Sequence, residues 1–241
     1  METSELRRHL ETEYARLRSV IPDAEDLTGI TVPSCPEWSF ADLVRHVGEV
    51  YLHKVDCIRL NARPTQVPDR TGLSPLDVLE RGFALLNQTF DEHQPQDPAW
   101  TWFAPDQSVG FWIRRMAHET TVHRVDAELA VNDASEIGAE LAEDGLDELL
   151  AVMLVADIEP HEYRIGRPDI ELRSPARSWF VHFEPESLRV SDEGRATTVI
   201  QGPASDLELW LYNRAAGANL KYTGDLMGVG VIKDLLTEAT Q

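Results

Sequence analysis

Apolar residues recur at helical spacing from the start of the chain. Leu6, Leu10, Tyr14, Leu17 and Ile21 mark one face of a first helix that ends at Pro22. Residues 31–38, Thr-Val-Pro-Ser-Cys-Pro-Glu-Trp, are rich in turn formers and predict a loop. Ser39 then has the form of an N-cap with Asp42 in the first turn, and Leu43, Val47, Val50 and Val55 carry a second helix to about Leu60. Pro64 to Gly72 reads as loop. A third helix opens at about Pro75, a residue suited to a first turn, with Leu76, Leu79, Phe83, Leu86 and Phe90 as its stripe. After a loop containing Pro95, Pro98, Trp100, Trp102 and Pro105, a fourth helix is expected over about 109–131. A fifth, over about 138–157, carries Leu141, Leu146, Leu149, Leu150 and Val152.

The pattern then changes. Residues 169–173, 178–183, 187–190 and 196–200 alternate or carry β-branched side chains between turn signals. A short amphipathic helix over 204–212, a strand near 220–222 and a helix from about 225 to 236 complete the chain. Long helices first and short strands later predict an α+β protein of two domains. A helical bundle would occupy residues 1–159. A small α+β domain with a mainly antiparallel sheet would occupy 160–241, with the boundary near Glu159 and Pro160.

Composition narrows the partners. The net charge is −20, from 42 acidic and 22 basic residues, and such a surface repels phosphate backbones and anionic membranes. Neither nucleic acid nor membrane is an expected partner, and a monomer or homodimer is expected. Two cysteines, Cys35 and Cys57, are too few for a disulfide scaffold or a four-cysteine zinc site. The first residues are charged throughout, without a signal-peptide pattern, and no apolar run approaches ~18 residues. A cytoplasmic location is expected.

The segment with most chemistry is Arg114-Arg-Met-Ala-His-Glu-Thr-Thr-Val-His-Arg-Val-Asp126. It is not a zinc-protease helix, because the residue four after His118 is Val122. Glu119 and His123 are four apart and sit about 40° from each other on one helix face, whereas His118 lies about 140° from His123. Such a pair is also a common surface contact worth about 0.2–0.5 kcal/mol. A metal would need a third ligand from a facing helix, and the second helix offers His46, Glu49 and His53. Two imidazoles and one carboxylate suit catalytic zinc and equally ferrous iron. Cys35 reads as a small apolar residue before a helix, or as a ligand or nucleophile. Trp38, Trp100, Trp102 and Trp112 would fill space between helix ends or line a pocket. Arg114 and Arg115 are candidates for holding an acidic substrate.

Two stretches carry a family resemblance. Val32-Pro-Ser-Cys-Pro-Glu-Trp-Ser-Phe-Ala-Asp-Leu-Val-Arg-His46-Val and Phe111-Trp-Ile-Arg-Arg-Met-Ala-His-Glu119-Thr-Thr-Val-His123-Arg-Val-Asp126-Ala-Glu are similar to the two signatures of mycothiol-dependent maleylpyruvate isomerase-type proteins, within the DinB-like helical superfamily. Gly202-Pro-Ala-Ser-Asp206-Leu-Glu-Leu-Trp-Leu-Tyr-Asn-Arg214, followed by Thr223-Gly-Asp225, resembles that family's sterol-carrier-like C-terminal domain. The resemblance implies an up-down DinB-like bundle and a zinc, or another divalent metal, held by His46, Glu119 and His123. It implies an active site at the junction of the domains, with Arg214 binding a substrate carboxylate. Asn213 stands where the pattern has a small residue.

The implied activity is metal-dependent use of a low-molecular-weight thiol, mycothiol, against an electrophilic small molecule, carboxylate-bearing in the family's pattern. The outcome would be isomerisation or S-transfer. A non-catalytic carrier of the same fold, with a structural or absent metal, is the alternative. Hydrolysis by zinc-bound water ranks below both, with Glu49 as its one evident base.

Overall fold

The computed structural model describes residues 1–22, 27–66, 69, 72–155, 167–185 and 187–240. These form two compact units, Met1–Ser135 and Glu136–Gln241.

The first unit is helical. It contains α1 (Thr3–Val20), the short strands β1 (Thr31–Val32) and β2 (Cys35–Ser39), α2 (Phe40–Leu60), α3 (Pro75–Asp91) and α4 (Val109–Ala130). Local chemistry sets the helix starts. Ser39 and Asp42 cap α2 reciprocally, and Ser74 and Asp77 do the same for α3, with Pro75 in the first turn. Helix α1 packs on α4, and α2 packs on both α3 and α4. The α2–α3 contact is unusually close. A Cβ on Gly48 would lie 2.6 Å from the Leu79 nitrogen, and one on Gly82 would lie 2.6 Å from the Gly48 carbonyl oxygen. Only glycine at both positions lets the two backbones touch.

The α1–α4 contact is polar at its centre. Arg124 of α4 is fully buried and donates to Glu13 Oε2 at 2.6 Å and Glu128 Oε2 at 2.8 Å. Ser135 closes the network, its backbone N–H donating to Glu128 Oε2 at 2.9 Å. Buried charges persist when paired and hydrogen-bonded in this way.

The loop expected over residues 31–38 is instead an antiparallel ribbon, with Thr31 opposite Ser39 and Val32 opposite Cys35. Its turn-rich composition reflects a tight hairpin rather than an open loop. Val32 anchors it, fully buried.

The second unit holds α5 (Ala139–Glu148), a π-helical turn over Leu149–Met153, β3 (Ile170–Arg173), β4 (Ser178–Phe183), β5 (Leu188–Ser191), β6 (Thr198–Gln201), α6 (Ala204–Leu211), β7 (Lys221–Thr223) and α7 (Met227–Thr240). The sheet order is β5-β4-β3-β6-β7, with β3 and β6 parallel and the other neighbours antiparallel. The expected helical domain followed by an α+β domain is the observed fold class. The division differs in one respect. Helix α5 belongs to the second unit, where it packs on α6 and where Asp147 accepts from Trp179 Nε1 and Arg177 Nη1, both at 2.7 Å. An apolar stripe shows that a helix buries one face but not which partner covers it. The boundary expected at Glu159 and Pro160, and the expected helix end at Asp157, lie outside the described residues. No described helix is long and apolar enough to cross a membrane.

Two stability predictions follow from these contacts. Gly48→Ala should cost about 1–3 kcal/mol by overpacking, only partly offset by better helix propensity. A lower urea midpoint checks this, and an unchanged one contradicts the close approach. Arg124→Ala leaves buried Glu13 and Glu128 with the more exposed Arg16 as their remaining cation and should cost about 3 kcal/mol by the same measurement.

Candidate metal centre

Helices α2 and α4 run antiparallel where they meet. His46 lies beside Glu119 and His123, Tyr51 beside Thr120, and Lys54 beside Trp112. At one end of this contact three side chains converge. His123 Nε2 lies 3.2 Å from Glu119 Oε1, and His46 Nε2 lies 3.4 Å from the same oxygen. One donor atom from each residue falls within 4.8 Å of the others. The four-residue spacing on α4 places the first two, and the axial position of α2 brings in the third. Side-chain exposure rises from 10% for His123 to 19% for Glu119 and 35% for His46, so the cluster opens to solvent on the α2 side.

A second ring of contacts orients the first. His123 Nδ1 donates to Asp126 Oδ2 at 2.9 Å, and Asp126 is fully buried. Ser34, in the ribbon turn, donates to Asp126 Oδ1 at 2.5 Å. The carboxylate therefore holds a proton on Nδ1, so that Nε2, which faces Glu119, is the nitrogen left to ligate a metal once its own proton is lost. Arg115 Nη2 donates to Glu119 Oε2 at 3.1 Å and leaves Oε1 toward the histidines. Trp38 covers the rings, with centroids 4.7 Å from His46 and 6.2 Å from His123.

The electrostatics match this wiring. Burial resists charge on Glu119, but the His123 charge, hydrogen bonds from both histidines and the Arg115 charge outweigh it and hold the carboxyl well below its usual range. Burial also resists charge on His123. The Glu119 charge and the Asp126 hydrogen bond outweigh it and push the imidazole up to about 9.

The other candidates fall elsewhere. His118 is fully buried and outside the cluster, as the helical phase requires. His53 lies further along α2, with Nδ1 3.2 Å from Lys54 Nζ and 3.6 Å from Cys57 Sγ. Cys57 is buried and its thiol is pushed up to about 11 by that burial. Cys35 is half-buried in β2, and neither it nor Glu49 joins the cluster. Arg115, not Arg114, is the arginine in contact with Glu119. Arg214 lies in the second unit, just beyond α6. It donates to the Tyr212 carbonyl at 2.8 Å, and its guanidinium lies 5.6 Å from the centre of the Tyr212 ring. The sequence reading passed over Asp126 and Ser34. Asp126 is three residues after His123 and so shares its face, a signal present in the spacing. Nothing local to Ser34 marks it.

The family model described as mycothiol maleylpyruvate isomerase N-terminal domain matches residues 7–128 and contains all three clustered side chains. The chain belongs to the mycothiol maleylpyruvate isomerase family. A second family model, the MDMPI C-terminal domain, matches residues 140–227. Its start coincides closely with the start of α5 and agrees with the division of the two units. No curated protein matches the chain.

The donor set suits a divalent cation. Two imidazole nitrogens, one with its tautomer fixed, and one ionised carboxylate are ligands for zinc or ferrous iron. Among the described residues, no fourth histidine, cysteine or carboxylate joins them.

The titrations predict a pH profile for the metal-free protein. The His123 pKa is raised above its ordinary 6.5, so its contribution is fully present below that value and lost as pH rises through about 9. Glu119 is depressed below its ordinary 4.5, so its contribution is present above that value and lost only in stronger acid. Urea unfolding of chelated protein should show a decline from pH 7 to 10 that His123→Gln abolishes. The same slope in both proteins would contradict the ion pair.

Proposed function

We propose that the protein is a metal-dependent enzyme that uses a low-molecular-weight thiol, mycothiol, against an electrophilic small molecule. The observation that carries this reading is the convergence of His46 Nε2, Glu119 Oε1 and His123 Nε2, with Asp126 fixing the His123 tautomer. When bound there, a divalent ion such as zinc supplies the Lewis acid that keeps a thiol ionised near neutral pH, where a free thiol of pKa ~8.5 is mostly protonated.

The chain's own residues do the rest. His46, Glu119 and His123 would hold the ion, and three protein ligands would leave room for a further one, as in catalytic sites. Arg115 fixes which Glu119 oxygen faces inward. Trp38 shields the rings on one side, and entry is on the exposed side of His46. By family resemblance, Arg214 receives a substrate carboxylate. The thiol sulfur forms a bond to the electrophilic carbon. In an isomerisation it adds to a conjugated cis double bond, rotation follows about the new single bond, and the thiol leaves. In a transfer, the carbon–sulfur bond remains and another group departs.

Elemental analysis of purified protein, followed by calorimetric titration with mycothiol before and after chelation, tests the reading. About one zinc per chain, with thiol affinity that disappears on chelation, is expected for a three-ligand site. A metal without thiol affinity, or no metal, would favour a carrier protein of this fold. Within that experiment His123→Ala should lose the metal while His118→Ala keeps it, and equal loss in both would overturn the ligand assignment.

A further inference from the structure

The second unit gathers three side chains that the thiol reaction does not use. The register that pairs Ile170 with Val181 continues to set Asp169 opposite His182, and Ser191 pairs with Phe180, two residues from His182 on the same face of β4. Trp179, Val181 and Phe183 take the other face, where Trp179 donates to Asp147 of α5 and Phe183 lies against Gly228 of α7. Asp169, His182 and Ser191 therefore meet on the face of the sheet away from α5 and α7.

Their contacts form a chain. Asp169 Oδ2 accepts from His182 Nδ1 at 2.7 Å. Its other oxygen, Oδ1, accepts from the Phe183 backbone N–H at 3.3 Å, which holds the carboxylate against the ring. His182 Nε2 lies 2.8 Å from Ser191 Oγ. A carboxylate on Nδ1 selects the neutral tautomer whose Nε2 accepts a proton, and that nitrogen faces the serine hydroxyl. The hydroxyl has a second acceptor, the Glu193 carbonyl at 2.7 Å, and rotation about the Cβ–Oγ bond turns its proton from one to the other. Gly194 keeps the loop after β5 close, since a Cβ there would lie 3.0 Å from His182 Cε1. The His182 side chain is 12% exposed and that of Asp169 32%, so the ring is largely withdrawn from water, while Ser191 is half-buried.

Carboxylate, imidazole and hydroxyl, each within hydrogen-bond reach of the next, form the arrangement that activates a serine. We infer that Ser191 is a nucleophile for acyl transfer, with His182 as its general base and Asp169 as the residue that positions His182. Ser191 Oγ forms a bond to the acyl carbon of an ester, and its proton passes to His182 Nε2. The bond from that carbon to the leaving oxygen breaks, and His182 returns the proton to the departing alcohol. Water then cleaves the acyl-serine through the same base and regenerates the hydroxyl. The three groups supply nucleophile and base but no oxyanion donor, so the substrate class is small esters with good leaving groups, such as aryl acetates. This centre is independent of the metal cluster and of the thiol reaction.

The test treats chelated full-length protein with a fluorophosphonate and maps the adduct by peptide mass spectrometry, alongside p-nitrophenol release from p-nitrophenyl acetate. Chelation removes any contribution from metal-bound water. One phosphonyl group on Ser191, formed with loss of fluoride, is expected, and Ser191→Ala should abolish it. His182→Gln should slow both reactions about 100-fold or more, the usual worth of a general base. Asp169→Asn should slow labelling and Asp169→Glu should recover part of the rate, a rescue that a merely structural carboxylate would not give. Should a variant fail to fold, the parent alone decides, because folded protein should label at Ser191 faster than the urea-unfolded chain. Labelling at equal rate in parent and His182→Gln, at the rate of the unfolded chain, or not at all, overturns the nucleophile and leaves the three side chains as a tie between strands.

Discussion

Helix α4 is polar and yet buried on nearly every side, and the need to pair each of its polar groups organises the first unit. His118, Thr120, Thr121, His123, Arg124, Asp126 and Glu128 are all withdrawn from water. A helix with this composition is stable in a core only if its side chains meet partners of the right kind. Arg124 turns toward Glu13 on α1, Thr120 meets the Tyr51 hydroxyl on α2, and Asp126 takes Ser34 of the ribbon. Thr120 and Arg124 are one turn apart, and Asp126 shares the face of Glu119 and His123, so two sets of contacts fix the rotation of the helix. In that rotation Glu119 and His123 meet His46 of α2.

The third ligand is placed by a different kind of constraint. His46 reaches the cluster only if α2 sits at one height and depth. Gly48, two residues on, touches α3 backbone to backbone, and its neighbour in space is Gly82. A methyl group at either position would move α2 by more than the sub-ångström tolerance of a metal site. The glycine contact and the metal cluster occupy opposite sides of one helix segment. Packing on one side sets chemistry on the other, so damage to the first should appear as weakened ligation before it appears as unfolding.

Much of this was legible in the sequence because it rests on local rules. Ser39 and Ser74 announce their helices through capping chemistry, and the strand pattern after residue 168 carries into the sheet almost unshifted. The i, i+4 relation of Glu119 and His123 follows from helix geometry alone. What failed locally depends on tertiary choice. His46 and His53 share a face of α2, and only its height against α4 selects His46. The stripe on α5 is real, and it packs on α6. The ribbon at β1 and β2 was hidden because hairpin turns and open loops use the same residues.

Charge gives the last link. The chain carries −20 overall, which at long range discourages an anionic substrate. At physiological salt that field decays over about 8 Å, so the groups within reach of a docked molecule decide its affinity. Along the α2–α4 face these are Arg115 and Lys54, both partly or fully desolvated, with Glu119 engaged by Arg115 and the histidines. A cation held there would add to the same positive region. On the proposed reading, an acid docked at this face would meet these side chains at distances over which the net charge of the chain is already screened, so the local groups rather than the total would set its affinity.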